Sequence, residues 1–216
     1  MAPIQFGIVL YDFQALDVVG PIDILYAGSK DLLDPMAAAG WVTNDVASAA
    51  IDIKFHYIAP TMDAMQIMSG LSLNPSTTFD KCPKLDCLLI GGPGPEFWND
   101  IPESYAKFLT EKAQEVDYFF ATCTGGVVAA KVGLLKNKRA TTNSTVLSYV
   151  ATEFPETKWE KSHWVVDGKF WTAGSSFSGI DMIEHWVKGR RGEAAEALAR
   201  ESLDWTPRDI NGKYIQ

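Results

Sequence analysis

The sequence predicts an α/β fold in which a mostly parallel sheet is covered on both faces by helices. Three observations carry this. Residues 4–10, "CLLIGG" from Cys87 and "YFFATC" from Tyr118 are continuously apolar, the pattern of strands buried on both faces. Segments with apolar residues at helical spacing lie between them, the alternation that a parallel sheet requires. No repeat, low-complexity tract or linker divides the 216 residues, so one domain is expected, and 47% hydrophobic residues supply a core for it.

The elements follow in order. Residues 4–10 form the first strand, and residues 16–27 a helix with Val18, Ile22, Leu25 and Tyr26 on one period. Asp17 stands where an N-cap belongs, and Pro21 falls near the first turn. Residues 29–53, with "DPMAAAGWVTNDVASAA", mix helix formers and turn residues; an insertion or lid-like excursion is expected, over the site or on the far face. Strands are expected at 54–58, at 71–79 (strand or hairpin) and from Cys87, the last ending in the loop "GGPGPE". A helix over 103–115, a strand ending at Cys123 and a helix over 124–135 come next. "RATT" reads as a short strand, 144–153 as a helix, and "SHWVVDGKFWTAG" as a hairpin turning at Asp167-Gly168. Residues 180–188 and 193–203 have helical period, and 205–216 form a tail.

Composition narrows the partners. A formal charge of −8 argues against nucleic acid or an anionic membrane, both of which demand a basic footprint. The start of the chain has no basic, cleavable leader pattern, and no apolar run approaches the ~18 residues of a membrane span. Three cysteines at irregular spacing do not form a disulfide framework or a zinc site. A cytoplasmic protein acting on a small molecule is expected, with no metal and no cofactor. The "GGPGPE" loop lacks the spacing and the lysine of a phosphate-binding loop.

Cys123 is the residue on which function turns. It ends a strand and precedes Thr-Gly-Gly and a helix, so its side chain points beyond the carboxyl edge of the sheet. There the helix dipole and free amides favour thiolate over thiol. Gly125 and Gly126 leave room for a ligand or another backbone segment. Gly91, Gly92, Pro93 and Gly94 read as a tight turn that brings backbone N–H groups towards the sulfur. Cys82, in a turn, and Cys87, inside a strand, read as structural, as do His56, His163 and His185.

Four stretches in register, "LDVVGPIDIL", "FDKCPKLDCLLIGGPG", "ATCTGGVVAAKVGLLKNKRATT" and "TAGSSFSGIDM", resemble the ThiJ/PfpI superfamily, and within it the isocyanide hydratase branch. The resemblance implies a flavodoxin-like three-layer sandwich with a cysteine nucleophile elbow, and a homodimer. It gives Cys123 the nucleophile's role, Asp17 that of an acid facing it, and Thr124 that of a neighbour completing the site. Two departures matter. Threonine follows Cys123 where protease-like members have histidine. Asn143 stands where a second histidine is usual, so no Cys–His dyad forms and glyoxalase-type chemistry is weakened. The expected reaction is hydration of an organic isocyanide to an N-substituted formamide through a Cys123 thioimidate. Trp41, Phe97, Trp98 and Phe177 are candidates for an apolar pocket around the R group. The alternatives are a non-enzymatic redox sensor based on Cys123, or glyoxalase-type activity on small carbonyls.

Overall fold

In the computed structural model, residues 2–191, 197, 200, 201 and 203–215 are described. Strand β1 (Ile4–Val9) leads into α1 (Leu16–Ala27), then α2 (Lys30–Ala38), α3 (Asn44–Ser48) and β2 (Ile53–Ala59). Next come β3 (Met65–Gln66), β4 (Ser72–Leu73), β5 (Thr77–Thr78), β6 (Cys87–Ile90), α4 (Pro95–Asn99) and α5 (Glu103–Glu115). Then β7 (Tyr118–Thr122), α6 (Gly125–Lys131), β8 (Arg139–Ala140), α7 (Leu147–Glu153) and β9 (Lys158–Trp159) follow. Strands β10 (Trp164–Asp167) and β11 (Phe170–Ala173) and helix α8 (Ser176–Arg191) complete the described elements.

Seven strands form one sheet in the order β10-β11-β7-β6-β1-β2-β5. Every pairing is parallel except that of β10 with β11, the expected hairpin, whose turn places Gly168 at φ 60°. The chain therefore forms the mostly parallel, helix-flanked sheet of a flavodoxin-like fold. Strand β2 lies on one side of β1, and β7 on the far side of β6. Right-handed crossovers then send α1 and α5 to opposite faces and open a crevice beyond the carboxyl ends of β1 and β6. Helix α8 packs on α1, and Gly20 allows it: a Cβ there would stand 2.5 Å from Ile180 Cδ1. Under α8, Phe120 meets Phe6 and Trp186 with ring centroids 6.0 and 5.5 Å apart.

Several boundaries differ from expectation for physical reasons. Helix α6 is shorter than 124–135 because Gly133, at φ 81°, turns the chain away. Helix α7 starts three residues later than 144, since Asn143 and Thr145 form a turn first. Helix α4 begins with Pro95 as its first residue, so its "GPGPE" signature reads as a loop. The helix expected over 193–203 lies largely outside the described residues. Residues 29–53 form α2 and α3 at the amino edge of the sheet. The N–H of Lys30 donates to Ile51, that of Ile51 to Gly28, and that of Ile4 to Asp52. Helix α1 has carried the chain back from the carboxyl edge, so this segment lies at the edge opposite Cys123 and does not cover it.

Candidate active site

Cys123 sits between β7 and α6 with φ 54°, a left-handed conformation that costs a non-glycine residue ~1–2 kcal/mol. Three bonds hold it there. Its N–H donates to Ala173 O (2.9 Å), and its carbonyl accepts from the Thr142 hydroxyl (2.9 Å) and the Gly126 N–H (3.3 Å). The result is a strand–turn–helix elbow with the sulfur at its apex, 6% exposed. Gly125 and Gly126 permit it through close backbone approach rather than by opening space for a ligand. A Cβ on Gly125 would lie 2.8 Å from Gly91 O, and one on Gly126 2.7 Å from Thr141 O.

Asp17 is not the N-cap of α1. Ala15 holds that position, and the Asp17 side chain is wholly buried. Its Oδ2 accepts the Gly92 N–H at 2.8 Å and its Oδ1 the Ser176 hydroxyl at 2.5 Å. Burial pushes its carboxyl up to about 6, while Ser176, Gly92 and the Cys123 thiol as hydrogen-bond partners pull it back. Pro21 lies four residues on, inside α1 rather than in its first turn, and has no N–H for the Asp17 carbonyl. That carbonyl accepts the Thr122 hydroxyl instead (2.9 Å), tying α1 to the strand that carries Cys123.

In the Gly91–Gly94 loop, expected to turn its amides to the sulfur, the middle two residues do not do so. The Gly92 N–H is taken by Asp17, and Pro93 has none. The loop acts as a brace: Gly91 O accepts from Tyr11, Gly92 O from the Gln14 N–H, and Pro93 O from the Thr124 hydroxyl at 2.8 Å. Gly94 precedes α4, with Met68 Cε 3.2 Å from where its Cβ would stand. A side chain at Gly92 would collide with both Thr124 Oγ1 and Asp17 Oδ2, at 2.5 and 2.6 Å.

Asn143 donates its amide to Cys123 Sγ at 3.2 Å. Its Oδ1 accepts both the N–H (3.0 Å) and the hydroxyl (2.7 Å) of Thr145, which leaves the NH₂ to face the sulfur. The Cys123 thiol is pushed up, first by burial and next by the Asp17 carboxylate; Asn143 and Thr124 pull it down. This corrects the expectation of a thiolate favoured by the helix dipole: α6 has seven residues, and desolvation outweighs it. The sulfur and the carboxyl form a coupled pair holding one proton over a broad pH range.

The structure thus brings together Cys123, Asp17, Thr124, Gly92, Pro93 and Asn143, and sequence reading missed Ser176, Thr122 and Thr145. Ser176 lies in "TAGSSFSGIDM", whose conspicuous hydroxyls were its only signal. Of the four aromatics expected around the R group, Trp98 is buried in the core. Trp41 is 77% exposed at the amino edge, Phe97 stacks on Tyr11 (4.5 Å) and Phe177 on Trp205 (6.0 Å). Among the described residues no group of three or more His, Cys, Asp or Glu side chains is placed to hold a metal ion. No helix among them is long and apolar enough to cross a membrane.

Residues 7–188 match the DJ-1/PfpI family, and the chain belongs to it. It is 27% identical over 210 residues to an isonitrile hydratase of Pseudomonas putida, covering 94% of this chain and 79% of that protein. It is 23% identical over 143 residues to GbdR, an HTH-type transcriptional regulator of Pseudomonas aeruginosa, covering 65% of this chain and 39% of the regulator. Among solved structures it is similar to a ThiJ/PfpI family protein from Pseudomonas syringae, with a TM-score of 0.77 and 20% identity over 97% of this chain and 78% of that one. Drosophila melanogaster DJ-1beta gives 0.69 and 14%, covering 94% and 98%. At these identities the structural likeness shows the fold alone.

Proposed function

We propose that this member of the DJ-1/PfpI family is a cofactor-independent hydratase that converts an organic isocyanide into an N-substituted formamide, with Cys123 as nucleophile and Asp17 as acid. The observation that carries it is the pairing of a thiol at a strained elbow with a buried carboxyl raised to about 6, and with an asparagine where a base would stand. Isocyanide hydration suits such a pair, because its carbon accepts a nucleophile and a proton together. The similarity to an isonitrile hydratase over 94% of the chain supports it.

In this mechanism the pair's single proton goes to the terminal carbon of R–N≡C as the sulfur lone pair attacks it. The product is a thioimidate, R–N=CH–S–Cys123, with Asp17 left as carboxylate. Asp17 then takes a proton from water as the water oxygen bonds to that carbon and passes this proton to the nitrogen, giving R–NH–CH(OH)–S–Cys123 with Asp17 again a carboxylate. Collapse breaks the C–S bond, releases R–NH–CHO and returns the proton to the Cys123–Asp17 pair. The net reaction consumes one water and nothing else. The Thr124 N–H and the Asn143 amide donate to the sulfur and stabilise it as attacking and leaving group. Proton transfer positioned in this way contributes about a hundred- to ten-thousand-fold.

A second reading has one observation in its favour. A protonated Asp17 beside Cys123 would hydrogen-bond a sulfinate and stabilise an oxidised redox sensor. Burial of the sulfur and its raised pKa weigh against easy oxidation. We place the protein in the cytoplasm, as a homodimer acting on a small molecule rather than nucleic acid, in keeping with three free cysteines and a net charge of −8. The test is formamide formation from cyclohexyl and aryl isocyanides, with and without Cys123→Ala. Formamide from the wild type alone is expected. Equal activity in the variant, or none in either, would refute the proposal.

A further inference from the structure

The space beside the elbow is lined by none of the four aromatics expected around the R group and has a polar character. A cavity of about 460 Å³ lies there, lined by Thr142, Ser144, Lys161, His163, Ser175 and Asn211 among others. Cys123, Asp17 and Asn143 are not themselves among its lining residues, but two of its walls are formed by their chain neighbours and hydrogen-bond partners. Thr142 and Ser144 flank Asn143, whose amide is on the sulfur. Gly174 and Ser175 lie between Ala173, which takes the Cys123 N–H, and Ser176, which holds Asp17.

The lining is rich in hydroxyls and carries no carboxylate among the described residues, although the whole chain is acidic. Lys161 is its charged side chain, is exposed, and has no carboxylate partner among the described residues. Asp181 is fully buried behind His163 and already matched. It accepts from His163 Nε2 (3.0 Å), Arg208 Nε (2.9 Å) and the Arg208 N–H (3.1 Å). His163 Nδ1 meets Ser178 (3.2 Å), so the imidazole is a fixed polar wall. The Arg208 anchor also brings Ile210 and Asn211 of the C-terminal tail to the cavity. A lone cation among neutral hydroxyls, beside a nucleophile that attacks isocyano carbon, selects an anion on the R group.

We infer that the cavity is the R-group subsite and that the substrate is an isocyanide bearing a carboxylate, bound through Lys161 and the surrounding hydroxyls. This rests on the hydratase reading above and names its substrate class. The carboxylate is a spectator: isocyanoacetate would take up one water and leave as N-formylglycine, with the Cys123 thiol regenerated.

Two measurements separate this inference from the reading beneath it. The first is kcat/KM for isocyanoacetate and for cyclohexyl isocyanide, in the wild type and in Lys161→Met, which keeps an aliphatic stem at an exposed position. The wild type is expected to prefer isocyanoacetate, and Lys161→Met to lower that preference about tenfold or more, the worth of one charge-assisted contact. The second is calorimetric binding of N-formylglycine to Cys123→Ala, with and without Lys161→Met; binding is expected only where Lys161 is present. Hydration of both isocyanides with a preference that Lys161→Met does not change would overturn the inference and leave the hydratase standing. Lys161-dependent binding of N-formylglycine without hydration of any isocyanide would support the carboxylate subsite and overturn the hydratase. Neither hydration nor binding would overturn both.

Discussion

Asp17, the acid of the proposed mechanism, is buried at a cost to stability. Its carboxyl titrates near 6 when folded, against 3.8 as its ordinary value. Between those values the folded state binds more protons than the unfolded one, so stability falls as pH rises through the window. Above about 6 the full cost is present, about 3 kcal/mol. Asparagine has no such term, and its amide can accept from Gly92 and donate to Ser176. Asp17→Asn is therefore expected to be inactive yet to melt higher than the wild type at pH 8, with the gap closing as pH falls from about 6 towards 4. Melting curves across that range test this; a variant that melts lower at pH 8, or a gap independent of pH, would contradict it. Thr145 acts one step further out, by fixing the Asn143 amide. Thr145→Val removes one of two donors to Oδ1, so the apparent pKa of Cys123, read from alkylation rates, should rise. Thr145→Ser should restore it, and identical titrations for all three would remove Thr145 from the site.

At the scale of elements, the elbow depends on how closely α6 approaches its neighbours. Gly126→Ala would push a methyl group against Thr141 O and Thr142. Overpacking of this kind costs ~1–3 kcal/mol. The variant is expected to lose stability and activity together, because Thr142 also holds the Cys123 carbonyl. A fully active Gly126→Ala would show that the α6 packing is not what sets the sulfur. These elements differ in how far the sequence revealed them. Strands β1, β6 and β7 are apolar on both faces, and α1 and α5 are bounded as their periodicity predicts, so Cys123, Asp17 and Thr124 could be placed at one edge of the sheet. Asp17 was legible as a functional candidate but not in its bonds, because Gly92 and Ser176 lie 75 and 159 residues away. Helices α2 and α3 were not legible: Leu33 is their one residue buried as core, so no apolar period marks them.

Across the whole molecule, the reversal of strand order between β1 and β6 decides where chemistry can occur, and α1 decides where it cannot. By returning the chain to the amino edge, α1 leaves residues 29–53 on the wrong side to act as a lid. Trp41→Ala is accordingly expected to keep kcat/KM within about twofold of the wild type, despite the conspicuous exposure of that ring. A tenfold loss would mean that this edge communicates with the site. The carboxyl edge gathers Cys123 from the end of β7, Asp17 from α1, the brace after β6 and Ser176 from α8, and in the proposed mechanism these act by covalent catalysis. The most direct measurement is intact-protein mass spectrometry after rapid acid quench of the enzyme mixed with cyclohexyl isocyanide. A transient adduct on Cys123, equal in mass to the whole isocyanide and decaying as formamide appears, is the expected result. Formamide released with no adduct at any time, or formed equally by Cys123→Ala, would contradict it.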